Sequence, residues 1–167
     1  AKYGAVAALV RSVTPFSLYT PHTGAMWYDS SLPMIPTAAI TVEDAEILAR
    51  LQGHNVPVTV TLYMEAHQAP LTSSWNVLAE VTGSEYPNEV VVLGGHSDSW
   101  DVGQGAIDDG AGFYSAWEAV RIINDLVNQG EIPRPKRTIR VVLWVDEEIS
   151  QKGASTYMQD HITELDD

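Results

Sequence analysis

The chain has 167 residues, of which 45% are hydrophobic and 19% charged, and it carries a net charge of −13 at pH 7. This composition is typical of a folded protein, whereas the negative charge argues against nucleic acid and membrane surfaces as partners. The absence of cysteine excludes disulfide bonds and thiolate metal ligands, and the sequence contains no long apolar run that would predict a membrane span.

The first part of the chain alternates short apolar runs with turn signals. Residues 1–12 are predicted to form a short amphipathic helix followed by a strand, and residues 15–36 a loop rich in proline and glycine. The polar, proline-containing stretch at 65–76 is the best candidate for a domain boundary. We therefore expect one domain over residues 1–70 and a second over residues 71–167.

Two elements are predicted within the first domain. Thr41 is a candidate N-cap for a helix over residues 40–52, because Asp44 follows it three positions later and apolar residues recur at helical spacing. Residues 57–64 alternate valine, threonine and leucine at a period of two, which predicts a strand.

The second domain is predicted to alternate strands and helices. Residues 88–95 and 138–145 are apolar runs, as in strands covered on both faces, and apolar residues recur at helical spacing over 110–128. A further strand is predicted at 76–82 and a further helix at 150–161. This order predicts an α/β fold with a parallel sheet and right-handed crossovers, in which ligands bind beyond the carboxyl ends of the strands.

Acidic residues are concentrated directly after the two apolar strands. The segment GGHSDSWDVGQGAIDDGAG at 94–112 contains four aspartates and one histidine, and Glu147 and Glu148 follow the later strand. No lysine or arginine occurs between Arg50 and Arg121. Two unit charges about 4 Å apart repel each other by about 4 kcal/mol at an effective dielectric of about 20, so a crevice shared by these acids needs a cation, or several of the acids must be protonated. A divalent metal ion is the more economical of the two explanations. Imidazole and carboxylate ligands suit Zn²⁺, with Mn²⁺ and Co²⁺ as alternatives.

The spacing of these residues indicates which role each could have in a metal site. Residues two apart on a strand point to the same side, so Asp98 is predicted to accept a hydrogen bond from the second ring nitrogen of His96. Either Asp108 or Asp109 could bridge two metal ions, since a carboxylate has two oxygens. Of the two adjacent glutamates, one would bind metal while the other acts as a general base.

Three other kinds of site do not fit this segment. In a calcium-binding loop that opens at Asp98, Trp100 and Val102 would occupy positions that need oxygen ligands. A dinucleotide-binding turn that begins at Gly103 lacks its third glycine, because Asp108 stands there. A serine hydrolase is not supported, since no serine lies in a G-x-S-x-G turn.

The remaining polar candidates are interpreted as structural. Asp101 is expected in a loop, and Asp109 is expected to cap the N-terminus of the helix that follows it. Four histidines lie in loop-like or amphipathic surroundings without matched carboxylates, and they are also interpreted as structural: His22, His54, His67 and His161.

The segment 94–112, followed by RPKRTIRVVLWVDEE, resembles the catalytic domain of the di-zinc metallopeptidases of family M28. Upstream, the segments GAVAALVRS, IPTAAITVEDAEILARL and VTVTLYM resemble a protease-associated domain inserted in such enzymes. The resemblance implies an α/β fold in which residues 71–167 form the N-terminal part of the catalytic domain, with part of a mixed, largely parallel sheet flanked by helices. Residues 1–70 would form part of the protease-associated domain.

The resemblance also implies a role for each matched residue. His96 and Asp108 correspond to a ligand of the first zinc ion and to the aspartate that bridges both ions, and Glu148 corresponds to a ligand of the second ion. Glu147 corresponds to the general base, and Asp98 to the residue that supports the histidine. In the family, the peptide bond that follows the bridging aspartate is cis.

The function that the resemblance implies is that of a secreted or lysosomal zinc exopeptidase of the metallocarboxypeptidase or dipeptidase type. Such an enzyme acts on small peptides or dipeptides, holds two Zn²⁺ ions in its complete active site and forms a homodimer.

The family has two further metal ligands, an acidic residue and a histidine, that no residue of this sequence matches. Asp166 and Asp167 follow Glu148 too closely, and His161 lies on the next predicted helix. We therefore expect the chain to be an internal fragment of such an enzyme. The alternative is a non-catalytic binding or interaction fragment that lacks the C-terminal metal ligands.

Overall fold

The computed structural model divides into two compact units, residues Ala1–Pro70 and Leu71–Asp167. The residues that it describes are 2–16, 18–21, 24, 26–67, 69–100 and 103–164. The sequence predictions for His22, Asp101, Asp166 and Asp167 lie outside these residues. Within the described ranges, no helix is both long enough and apolar enough to cross a membrane.

The first unit contains two short strands and one helix. Strand β1 (Ala8–Arg11) pairs in parallel with β2 (Thr37–Ile40), and helix α1 follows at Val42–Gly53. Thr41 caps this helix, because its hydroxyl accepts a hydrogen bond from the backbone N–H of Asp44 at 3.1 Å. The prediction of this helix and of its N-cap is confirmed.

Two other predictions for the first unit are wrong for the residues that the structure describes there. No helix precedes β1, since Gly4 has a φ of +83°, which a right-handed helix does not accommodate. Residues 57–64 form no strand, and Val58 and Val60 are exposed. A strand needs a hydrogen-bonded partner in addition to a favourable sequence, and β1 and β2 pair with each other.

The second unit is a mixed sheet with helices beside it. Its elements in chain order are β3 (Val77–Val81), β4 (Tyr86–His96), α2 (Gly112–Gln129), β5 (Arg137–Trp144) and α3 (Lys152–Asp160). The strand order is β3-β5-β4, with β5 antiparallel to β3 and parallel to β4. Val120 of α2 packs against Val81 and Val141 of the sheet to form the core. The predicted mixed α/β fold is confirmed.

The central strand of this sheet is β5 rather than β4. Val141 and Val142 of β5 are 1% and 0% exposed, whereas Val91 and Val92 of β4 are 48% and 39% exposed. The prediction that both apolar strands are covered on both faces therefore holds for β5 and is wrong for β4. The reason is that β5 has a neighbouring strand on each side, while β4 has one neighbour among the described residues.

The carboxyl ends of β4 and β5 lie side by side. His96, the last residue of β4, is paired in register with Trp144, the last residue of β5. The segments that follow the two strands therefore start from the same edge of the sheet, which is where parallel strands place their ligands.

Candidate metal centre

The candidate site begins with a histidine held at the end of β4. His96 is 9% exposed, and the chain beyond it returns to the same edge through an irregular turn over Ala106–Ala111. Gly105 precedes this turn with a φ of +63°, a conformation that favours glycine. The peptide bond between Asp108 and Asp109 is cis, as the family resemblance implies.

Three of the residues predicted to bind metal come together at this edge. One ligand atom from each of His96, Asp108 and Glu148 lies within 4.8 Å of the other two. His96 Nε2 and Asp108 Oδ1 are 3.0 Å apart, and Glu147 Oε2 lies 3.6 Å from the same nitrogen. The prediction that the two acidic segments face one crevice is confirmed.

The partner of the other ring nitrogen fixes the tautomer of His96. Nδ1 lies 2.9 Å from the main-chain carbonyl oxygen of Asp98. A carbonyl can only accept a hydrogen bond, so Nδ1 carries the proton and donates it. In the neutral ring, Nε2 then has a free lone pair that points towards the carboxylates of Asp108 and Glu147.

Asp98 supports the site with different atoms from those predicted. Its carboxylate lies 3.6 Å from His96 Nδ1, which is too far for a hydrogen bond, and the carbonyl takes that place. The carboxylate accepts instead from the backbone N–H groups of Glu147 and Glu148, at 3.1 and 3.2 Å. Asp98 is thus the predicted partner of Nδ1, but the expectation that its side chain accepts the bond was wrong, because β4 ends at His96 and the alternation of side chains along a strand does not continue to Asp98.

The electrostatic environment of the cluster favours a positive charge. Burial on its own would lower the pKa of His96, but its hydrogen bonds to the Asp98 carbonyl and the Asp108 carboxylate, together with the charge of Glu147, raise that pKa above its ordinary value. Burial raises the pKa of Glu148, and the nearby Asp108 carboxylate raises it further. Both shifts show that the site stabilises an added proton, and a metal cation could supply the same charge.

The geometry of these groups fits a divalent metal ion. Two ligands on one tetrahedral Zn²⁺, each about 2.0–2.2 Å from the metal, lie about 3.3–3.6 Å apart. His96 Nε2 and Asp108 Oδ1 are 3.0 Å apart, so they would have to separate by about 0.3–0.6 Å to hold one such ion. In the neutral ring, the Nε2 lone pair faces carboxylate oxygens with no proton between them, and either a second ring proton or a metal cation at this position would remove the repulsion.

Asp109 has a role that the sequence analysis missed. It was predicted to cap α2, but that helix has no side-chain cap, and Asp109 Oδ2 accepts a hydrogen bond from the backbone N–H of His96 at 3.0 Å. A Cβ atom at Gly95 or Gly112 would overlap the Asp109 carboxylate. The side chain therefore lies between two glycines, and these glycines are the signal in the sequence that could have located it.

Glu147 and Glu148 lie in the segment between β5 and α3. Glu148 contributes to the ligand cluster, whereas Glu147 Oε1 accepts a hydrogen bond from the side-chain amide of Gln151 at 3.0 Å. Both glutamates therefore have a side-chain oxygen near His96, and Glu147 has Gln151 as a further partner.

Three of the histidines interpreted as structural lie within the described residues. His54 is the C-cap of α1, and His67 Nδ1 lies 3.3 Å from the carbonyl oxygen of Glu65. His161 is the C-cap of α3, and its ring stacks on Tyr157 with 3.9 Å between centroids. These contacts are consistent with structural roles.

A cavity of about 470 Å³ lies beside the cluster. Its walls include His96, Asp98, Gln104, Phe113 and Tyr114. This volume falls in the range of small-molecule sites, but of the three ligand residues only His96 lines the cavity, so the cluster itself is the stronger evidence for a functional site.

Comparisons with known proteins show which family the chain resembles. The sequence pattern of peptidase family M28 matches residues 76–167. The chain is 53% identical to carboxypeptidase Q of Xenopus laevis and 52% identical to that of Homo sapiens, in each case over 96% of this chain and 33% of the relative. It is 34% identical to a probable leucine aminopeptidase 2 of Aspergillus fumigatus, over 95% of this chain and 29% of the relative. The chain thus spans about a third of the length of these relatives.

A solved structure shares the fold. The crystal structure of a peptidase M28 precursor from Shewanella amazonensis matches with a TM-score of 0.82 and 38% sequence identity. The match covers 97% of this chain and 36% of that protein. The chain belongs to peptidase family M28.

Proposed function

We propose that the chain is part of a zinc-dependent exopeptidase that hydrolyses small peptides. The observation that carries this proposal is the cluster of ligand atoms from His96, Asp108 and Glu148 within 4.8 Å of one another. The relatives are named as a carboxypeptidase and an aminopeptidase, and both names denote exopeptidases.

In this proposal, His96, Asp108 and Glu148 are the residues of this chain that would hold the zinc ions. Bound zinc supplies a Lewis acid that polarises a peptide carbonyl and makes a water molecule more acidic. Glu147 is the general base, because its Oε2 faces the cluster 3.6 Å from His96 Nε2. It accepts a proton from the attacking water and returns it to the leaving amine.

Asp98 has a positioning role in the same proposal. Its main chain fixes the proton on His96 Nδ1, and its carboxylate holds the backbone of both glutamates. Groups of this kind raise metal affinity by orienting the ligands.

The wider properties rest on the resemblance to the family. We propose dipeptides or other small peptides as substrates, a secreted or lysosomal location, and a homodimer. The assignment of residues 1–70 to part of a protease-associated domain and of residues 71–167 to part of the catalytic domain belongs to the same proposal.

A second candidate function is that of a non-catalytic binding fragment. Among the described residues, the ligand cluster contains three protein ligands, whereas two tetrahedral zinc ions with a shared aspartate need more. A chain that binds metal without turnover would fit this candidate.

Zinc titration by calorimetry, combined with a dipeptide hydrolysis assay, tests both candidates. We expect the chain to bind zinc, His96→Ala to weaken binding at least about a hundredfold, and the matched variant His161→Ala to bind as the wild type does. We expect Glu147→Gln to keep its zinc affinity and to lower hydrolysis by a factor of about 10²–10⁴. Absence of zinc binding by the wild type would contradict the metal centre, and zinc binding without hydrolysis would favour the binding fragment.

A further inference from the structure

The segment that carries Glu147 and Glu148 is a loop whose two ends, Val145 and Gly153, are joined by hydrogen bonds; we call this pair of residues the neck of the loop. The backbone N–H of Gly153 donates to the carbonyl of Val145 at 3.1 Å. Asn76, the residue directly before β3, bridges the same two residues. Its Oδ1 accepts from the backbone N–H of Val145 at 3.0 Å, and its Nδ2 donates to the carbonyl of Gly153 at 2.9 Å.

The backbone of this loop needs support from outside. Asp146 and Gln151 have φ values of +61° and +54°, which are unfavourable for residues with a side chain. Such conformations persist when surrounding contacts impose them. One set of contacts comes from the Asp98 carboxylate, which holds the middle of the loop. The other comes from Asn76, which holds both ends.

Asparagine is suited to this neck because its amide offers a donor and an acceptor in one plane. The backbone N–H of Val145 must meet an oxygen and the carbonyl of Gly153 must meet an N–H, which fixes the orientation of the amide. The neck is also tight, since a Cβ atom at Gly153 would overlap the Val145 carbonyl and Asn76 Oδ1.

From this geometry we infer that Asn76 is a positioning residue for the metal centre. By tying Val145 to Gly153, it fixes the loop so that Glu148 reaches His96 and Asp108. The inference rests on the proposed function for the metal-binding role of Glu148, whereas the effect of Asn76 on the loop does not depend on metal.

Asn76→Ala tests this inference, with Thr138→Val as the matched control. Thr138 is 1% exposed, and its hydroxyl also bridges two main-chain groups, accepting from the N–H of Gly83 at 3.0 Å and donating to the carbonyl of Pro87 at 2.7 Å. It lies at the start of β5, at the opposite end of that strand from the loop. Both variants therefore lose two hydrogen bonds, and only one of them loses bonds at the loop.

Two measurements are made on each variant of the 167-residue chain. Zinc affinity is measured by calorimetry, and amide hydrogen exchange at Glu147 and Glu148 is measured in the zinc-free protein. We expect Asn76→Ala to weaken zinc binding about tenfold and to speed exchange at both amides about tenfold. Thr138→Val should leave both quantities within about twofold of the wild type.

The inference is overturned if Asn76→Ala has the same amide exchange rates and the same zinc affinity as the wild type. It is also overturned if Thr138→Val changes the exchange rates and the zinc affinity as much as Asn76→Ala does. Faster exchange with unchanged zinc affinity would also overturn it, because the loop would then not control the ligand. If the wild type itself binds no zinc, the proposed function fails, and exchange at the two amides alone decides the role of Asn76. If Asn76→Ala does not fold, Asn76→Asp replaces it in the test, because aspartate keeps the acceptor for the N–H of Val145 and lacks the donor for the carbonyl of Gly153. The amides of Glu147 and Glu148 should then still exchange faster than in the wild type.

Discussion

Replacing Gly112 by alanine sets two effects of opposite sign against each other. Gly112 opens α2 with φ −69° and ψ −58°, so alanine fits the backbone and would gain up to about 1 kcal/mol of helix stability. The added methyl group, however, would overlap the Asp109 carboxylate. Overpacking costs about 1–3 kcal/mol, and displacing Asp109 from the N–H of His96 loses a charge-assisted hydrogen bond that contributes about 1.5–3 kcal/mol. We therefore expect a net destabilisation of about 2–5 kcal/mol, which is a large part of the free energy of unfolding of a typical protein, about 5–15 kcal/mol.

Urea unfolding followed by tryptophan fluorescence measures this change, because four of the five tryptophans lie in the second unit. The control is the same substitution in an Asp109→Ala background, where the methyl group has room. There, Gly112→Ala should be neutral or stabilising by up to about 1 kcal/mol. Equal effects in the two backgrounds, or a single variant as stable as the wild type, would refute the role assigned to Asp109.

Two further predictions concern charged groups in the second unit. In Asp98→Asn, the amide must turn its NH₂ group towards one of the two backbone N–H donors of the glutamates, so one hydrogen bond is lost. Zinc affinity, measured by calorimetry, should therefore fall about tenfold, and an unchanged affinity would contradict this role of Asp98. Arg140, whose side chain is 12% exposed, bridges Glu80 and Glu164, so Arg140→Met should lower the free energy of unfolding by about 1–3 kcal/mol. Arg121, whose side chain is 51% exposed, pairs with acidic neighbours on α2, and Arg121→Met should change the free energy of unfolding by less than about 1 kcal/mol. Similar losses in urea unfolding for the two variants would show that burial does not determine how much each arginine contributes.

The sequence predicts the second unit better than the first because its elements bury more apolar surface. Residues 138–145 form an apolar run that becomes the central strand, and the helical spacing of apolar residues over 110–128 becomes α2. In these cases the pattern that predicts the element is also what stabilises it. In the first unit, only the helix that begins after Thr41 has comparable signals, namely a capping residue and a helical repeat.

Strand pairing could not be predicted in the same way. Residues 57–64 have the alternation of a strand and no partner in the described part of their unit, since β propensity does not specify where a partner lies. The apolar run of β4 did not reveal that this strand has one neighbouring strand, rather than two, among the described residues. Both errors concern long-range contacts, which a local pattern cannot specify.

At the site, the sequence identified the residues that meet but not the atoms through which they act. His96, Asp108 and Glu148 could be found because motifs that follow neighbouring parallel strands must meet at one edge. The partners of Asp98 and Asp109 depend on where the chain turns after β4, and both carboxylates are directed to backbone N–H groups.

The backbone partners of Asp98 and Asp109 reduce the negative charge that a cation at the site would have to offset. Asp98 and Asp109 accept hydrogen bonds from backbone N–H donors, three in all, and these donors offset part of their charge. The carboxylates that remain are those of Asp108, Glu147 and Glu148, and they lie around a histidine whose protonated nitrogen points away from them, towards a carbonyl. The negative charge that a cation would offset therefore lies on one side of His96, the side of Nε2, where a second ring proton or a metal ion could supply the positive charge, and the three ligand atoms within 4.8 Å of one another favour the metal ion.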